Sequence, residues 1–115
     1  LDTIMAGLAC GEPSVIAWPI LASGAAAFMA IPDDTVRAAM RRLASGEAGP
    51  RLVGGESGVA GLAGLIELCG NAEWRAAIGL DADSSVLVIG SEGDTDPALY
   101  REIVGLPAAD VEADA

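Results

Sequence analysis

A chain of 115 residues makes at most one ordinary domain, and with 52% apolar but only 3% aromatic residues its core must be built from Ala, Val, Leu and Ile. The net charge of −11 repels phosphate backbones and anionic lipid, so neither nucleic acid nor a membrane surface is an expected partner. The chain contains no Lys and no His, which removes the Schiff-base amine, the commonest general base and the commonest metal ligand.

No charge occurs between Glu12 and Asp33, a window of 20 residues that is long enough in principle to span a bilayer. Its content argues against a span. Pro13, Pro19, Ser23, Gly24 and Pro32 interrupt an alanine-rich run, and the nearest flanking charges are acidic. No basic segment precedes an apolar run at the N-terminus, so a signal peptide is not expected. Cys10 and Cys69 lack C-x-x-C spacing and read as reduced, buried small hydrophobes, which fits a cytoplasmic protein.

In chain order, Trp18, Leu21, Ala22 and Ala25 have the spacing of a buried helix, with Pro19 tolerable only near its first turn. The run from Ala26 to Ile31 suits a short buried strand. Asp33 or Asp34 then offers an N-cap to a helix carrying Val36, Met40 and Leu43, its arginines at 37, 41 and 42 towards the later turns, and Gly46 as its stop. A short strand is expected around Arg51 to Val53, followed by Gly54 and Gly55. Next comes a helix carrying Val59, Leu62, Ala63 and Ile66 that ends at Gly70. Glycines at 58, 61 and 64 give this helix a smooth face that another backbone can approach, and Trp18 and Trp74 read as core or domain packing.

A further helical stretch runs from Ala72 to Ile78. Val86 to Ile89 is the clearest strand pattern, four consecutive apolar residues of the kind found in parallel strands covered on both faces. Asp96 then caps a last helix with Pro97 at its first position. The alternation implies an α/β fold, a partial three-layer parallel sheet over residues 1–107, followed by an acidic flexible tail at 108–115 without a helix of its own.

Ligands of such sheets sit at the carboxyl ends of strands, a position held here by the loops Gly54 to Gly58 and Gly90 to Asp96. Ser57 is not a hydrolase nucleophile, because G-x-S-x-G is broken by Val59 and no His is present. Glu92, Asp94 and Asp96 lack the twelve-residue frame of a calcium loop, and a Walker loop would require a Lys. On composition alone both loops are tight turns between elements.

Three segments nevertheless carry a resemblance: Thr3 to Pro13 with its Met-Ala-Gly-Leu-Ala-Cys-Gly-Glu-Pro string, Gly54 to Leu62, and Val86 to Asp96 with Glu-Gly-Asp-Thr-Asp. In order and over roughly residues 2 to 104, the chain resembles the C-terminal part of the diaminopropionate ammonia-lyase family, fold-type II enzymes of pyridoxal phosphate. The resemblance implies the C-terminal half of a fold-type II large domain. It implies that Ser91 meets the pyridine nitrogen of the cofactor, that Gly7 lets backbone pass close to its ring, and that Glu56 lies at the mouth of the site. The competing reading of Glu56 is a solvated acid or helix-start cap.

In that family the lysine that holds the cofactor and the glycine loop that binds its phosphate belong to the N-terminal part. With no Lys, this chain by itself has no side chain that can hold the cofactor covalently. The implied reaction of the complete enzyme is elimination of ammonia from 2,3-diaminopropionate, giving pyruvate and a second ammonia. The expected partners are the amino-acid substrate, the remaining N-terminal portion of the protein, and a second copy in a homodimer. A related serine or threonine dehydratase and a non-catalytic oligomerisation module are the alternatives.

Overall fold

The computed structural model describes residues 2–47 and 49–113. Among the described residues, six α-helices follow a single 3-10 turn at Ala6–Leu8: α1 Ala17–Gly24, α2 Asp33–Ser45, α3 Ala60–Gly70, α4 Ala72–Ile78, α5 Pro97–Val104 and α6 Ala108–Ala113. The centre is α2. Val36, Ala39, Met40 and Ala44 recur at helical spacing and all are buried, which is the one-sided apolar stripe that a surface helix uses to cover a core.

Helices α3 and α5 pack on that stripe, with α4 against α3 and α6 against α5. Met5, Val59, Ala63, Tyr100 and Ile103 complete the core. Polar contacts tie the same helices together. Arg41 Nε on α2 donates to the Ile103 carbonyl at 2.8 Å, filling one of the acceptors left open at the end of α5. The Thr35 hydroxyl donates to the Glu67 carboxylate on α3.

Local signals placed the helix ends well. Gly46 closes α2 in the left-handed region at φ 74°. Asn71 caps α4 by accepting from Trp74 N at 3.0 Å, and Asp96 caps α5 by accepting from Leu99 N at 3.0 Å, with Pro97 at its start. At α2 the cap is Pro32, and both aspartates lie in the first turn. Asp33 is turned to another task, accepting from Thr3 Oγ1 at 2.6 Å and from Ile4 N at 3.0 Å, so it moors the N-terminal segment to α2.

The expected parallel sheet is not present. Among the described residues there is no strand, and the stretches 26–31, 51–53 and 86–89 are connecting segments without a ladder. An apolar β-branched run is a pattern that fits a pleated, covered surface. It becomes a strand only when neighbouring chain supplies the ladder. Around Val86 to Ile89 no such neighbour exists among the described residues, and Leu87 and Ile89 remain 87% and 76% exposed.

Other packing expectations are corrected in the same way. α1 has no buried residue, Trp18 and Trp74 are exposed, and Cys10 and Cys69 are exposed free thiols. The Trp18 ring lies beside that of Phe28, with ring centroids 6.0 Å apart. The segment after residue 107, expected to lack a helix, carries α6, because Ala108 and Val111 are buried; residues 114 and 115 lie outside the described residues.

The accessible surface is 7634 Å², against about 5,800 Å² for a compact monomer of this mass. The radius of gyration is 15.1 Å, where a compact domain of this length has about 13 Å. Much apolar area therefore faces outwards, in α1, at 28–29 and at 86–89. No helix among the described residues is long and apolar enough to cross a membrane.

Candidate functional site

Two loops flank the N-terminal end of α3, and glycine decides how closely they meet. A Cβ on Gly55 would lie 2.0 Å from the Gly93 carbonyl oxygen, and one on Gly58 would lie 2.5 Å from the Glu92 carbonyl oxygen. Both approaches are far below any van der Waals contact. The loop 90–96 is therefore pressed onto the backbone of 54–58, and Gly55 N donates to the Glu92 carbonyl at 3.0 Å.

The clasp is the Glu92 side chain. Its Oε2 accepts from the amides of Ser57 at 2.8 Å and Gly58 at 3.1 Å, and its Oε1 accepts from Thr95 Oγ1 at 2.6 Å. α3 has no side-chain cap of its own, so this acid from another loop satisfies amides just before the helix, where the positive end of the macrodipole also favours it. The Thr95 hydrogen bond, aided by the amides of Ser57 and Gly58, holds the Glu92 carboxyl below its ordinary pKa and outweighs the opposing effect of desolvation.

Ser57 joins a third segment to the first two. Its Oγ accepts from Gly7 N at 3.0 Å, and a Cβ on Gly7 would stand 2.9 Å from that same oxygen. Residues 3–8, 54–58 and 90–96 thus converge on Ser57, with Asp33 anchoring the first of them from α2.

The three sequence-derived site residues occupy this junction or its edge. Gly7 lies in the 3-10 turn, exposed, its amide spent on Ser57. Glu56 is only 4% exposed, and its Oε1 is fully buried with no hydrogen-bond partner among the described residues. That excludes the reading of a solvated acid. Ser91 is exposed and sits one residue before the clasp.

Ser57, Glu92 and Thr95 did not stand out in the sequence. Ser57 reads in the sequence as part of a broken nucleophile motif, and Glu92 as one of several loop acids. A signal was available in the pairing of a glycine-rich, uncapped helix start with a lone acid in another tight loop, since such a start offers amides to an anion.

One pH dependence follows. A group whose folded pKa is depressed contributes stability above its unfolded pKa and loses it as pH falls through the folded value. Glu92 and Asp33 are both depressed, Asp33 chiefly by the Thr3 hydroxyl and the Ile4 amide. Amide-exchange protection factors at Ser57 and Gly58 are expected to stay level from neutral pH to about pH 5 and to fall progressively as pH drops through and below the ordinary carboxylate range. A decline that begins near pH 6 would contradict this assignment.

No family model matches the chain. It is 41% identical over 109 residues to the diaminopropionate ammonia-lyase of Salmonella typhimurium and 42% identical over 108 residues to that of Escherichia coli strain K12. Each alignment covers 90% of this chain and 27% of the relative, so the chain spans about a quarter of the length of the curated relatives it matches.

Proposed function

We infer that this chain, homologous over 90% of its length to diaminopropionate ammonia-lyases, contributes one wall of the active site of a pyridoxal-phosphate enzyme that eliminates ammonia from 2,3-diaminopropionate. The observation that carries the reading is the convergence on Ser57 of three segments distant in sequence and rich in glycine. The junction joins the loop that carries Glu56 to the loop that carries Ser91, since Ser57 and Gly58 donate to Glu92.

The residues present fit the cofactor. Glu56 Oε1 is a buried acceptor still lacking a donor, a costly arrangement unless a partner arrives. Ser91 offers a free-standing hydroxyl of the type that meets a pyridine nitrogen. Bound pyridoxal phosphate would supply the electron sink that makes the α-proton of an amino acid removable. A serine hydroxyl at the ring nitrogen, in place of a carboxylate, leaves that nitrogen largely unprotonated and suits elimination of a β-substituent. Glu56 would hold a proton-bearing group of the ligand by its buried oxygen. In the overall reaction the α-proton and the β-amino group leave as ammonia, and water then hydrolyses the resulting aminoacrylate to pyruvate and a second ammonia.

The test is turnover by the full-length protein. Pyruvate and two equivalents of ammonia are expected from 2,3-diaminopropionate, well above the rate with serine or threonine. Preference for a hydroxy amino acid would favour a dehydratase, and absence of cofactor binding would favour a non-catalytic module. This chain by itself, treated with pyridoxal phosphate and then borohydride, is expected to carry no phosphopyridoxyl group on any side chain, since it has no Lys. Peptide mapping that finds a modified residue beyond the terminal amine would overturn that.

The apolar surface in α1 and at 86–89 we assign to contact with the rest of the enzyme and, in its absence, with a second copy of the chain. The free cysteines suit a reducing, cytoplasmic setting.

A further inference from the structure

We propose that Glu92 is a positioning residue whose side chain sets the place of Ser91 relative to the loop 54–58. The proposal deepens the pyridoxal-phosphate reading above and rests on it. Ser91 is exposed and follows the largely exposed run Val86 to Ile89, which approaches the start of α3 through Val88 beside Gly61 and Gly90 beside the Gly58 carbonyl. On its C-terminal side the first fixed point is Glu92, bound by its carbonyl to Gly55 N and by its carboxylate to Ser57 N, Gly58 N and Thr95 Oγ1.

Each contact of Glu92 has a separate reason. The backbone pair sets the distance between the loops, and glycine at 55 and 58 permits it. The carboxylate sets the angle, because one oxygen spans two successive amides while the other is held from its own loop by Thr95. An exposed serine hydroxyl aimed at a ring nitrogen must be held to a fraction of an ångström to be effective. Glu92 is the group that transmits the rigid start of α3 to it.

The full-length protein is the subject of the test, with Glu92→Ala, Glu92→Gln and Thr95→Val compared with the parent. Glu92→Ala is expected to weaken pyridoxal-phosphate binding by about tenfold or more, the loss expected when hydrogen bonds to a charged group are removed, and to shift the absorbance band of the bound cofactor. Glu92→Gln should keep affinity within about threefold, because its amide oxygen can accept from both backbone amides and its nitrogen can donate to Thr95. Amide exchange should quicken in 54–58 and 90–96 together in Glu92→Ala while α2 and α5 stay protected.

Unchanged affinity and spectrum in a folded Glu92→Ala would overturn the proposal. Should that variant fail to fold, Thr95→Val removes one hydrogen bond only and is expected to weaken binding by about threefold to tenfold; no change there overturns it equally. A parent protein that binds no pyridoxal phosphate would instead overturn the functional reading itself, and the proposal with it.

Discussion

Replacing Gly55 by Ala is expected to separate the loop 90–96 from the loop 54–58 and to lower stability by about 3 kcal/mol, the upper part of the overpacking range. The added Cβ would stand 2.0 Å from the Gly93 carbonyl oxygen and 3.1 Å from Glu92 Cγ. The first of these is backbone, so no side-chain rotation relieves it. Any backbone shift large enough to admit a methyl group also lengthens the Gly55 N bond to the Glu92 carbonyl and the two amide bonds to its carboxylate. Gly58→Ala is expected to act similarly, its Cβ meeting the Glu92 carbonyl at 2.5 Å.

Gly70 is the internal control. It lies at the end of α3 with open space where a Cβ would be, so Gly70→Ala should be neutral or stabilising by up to about 1 kcal/mol through helix propensity. Denaturant midpoints of the three variants test the contrast. If Gly55→Ala lies within about 0.5 kcal/mol of the parent, the ordinary scatter of surface substitutions, the close approach of the two loops is not a feature of the folded protein.

The second large effect concerns association. This chain, expressed by itself, is expected to behave as a dimer or larger species. Its surface exceeds that of a compact monomer by about 1,800 Å², more than the roughly 800 Å² that each partner contributes to a standard interface. Val15, Ile16, Ile20 and Phe28 lie exposed within a segment that carries no charge, and Leu87 and Ile89 stand exposed on another. The charge of −11 opposes contact, yet at ordinary salt its repulsion is screened beyond about 8 to 10 Å. A two-fold contact hides the same patch on both copies. Light scattering over a tenfold dilution series should return at least twice the chain mass. A monomer at every concentration would mean that the exposed apolar residues need no cover.

How much of this was legible in the sequence depends on the range of the interaction involved. Helices α2 to α5 were readable because their causes are local. The stripe Val36, Met40 and Leu43, the cap Asp96, Pro97 at a helix start and Gly46 at a helix end all act within one or two turns. The same punctuation marks the loops around Glu56 and Ser91, and the likeness to the ammonia-lyases points to Gly7, Glu56 and Ser91.

Long-range pairing decided the rest. A strand is a relation between two segments, so the composition of Val86 to Ile89 could not make a sheet when no ladder partner lies beside it among the described residues. The short acidic end could not be judged by its charge once Ala108 and Val111 found a buried place next to α5. The sequence by itself determined the absence of lysine chemistry, the helix ends at Gly46, Gly70 and Asp96, and the small-residue loops. Only the tertiary structure brought Gly7 onto Ser57 across 50 positions, and Glu92 onto Ser57 across 35. Those hydrogen bonds join groups that are unremarkable in their own neighbourhoods and acquire meaning when the packing of α2, α3 and α5 brings the loops together.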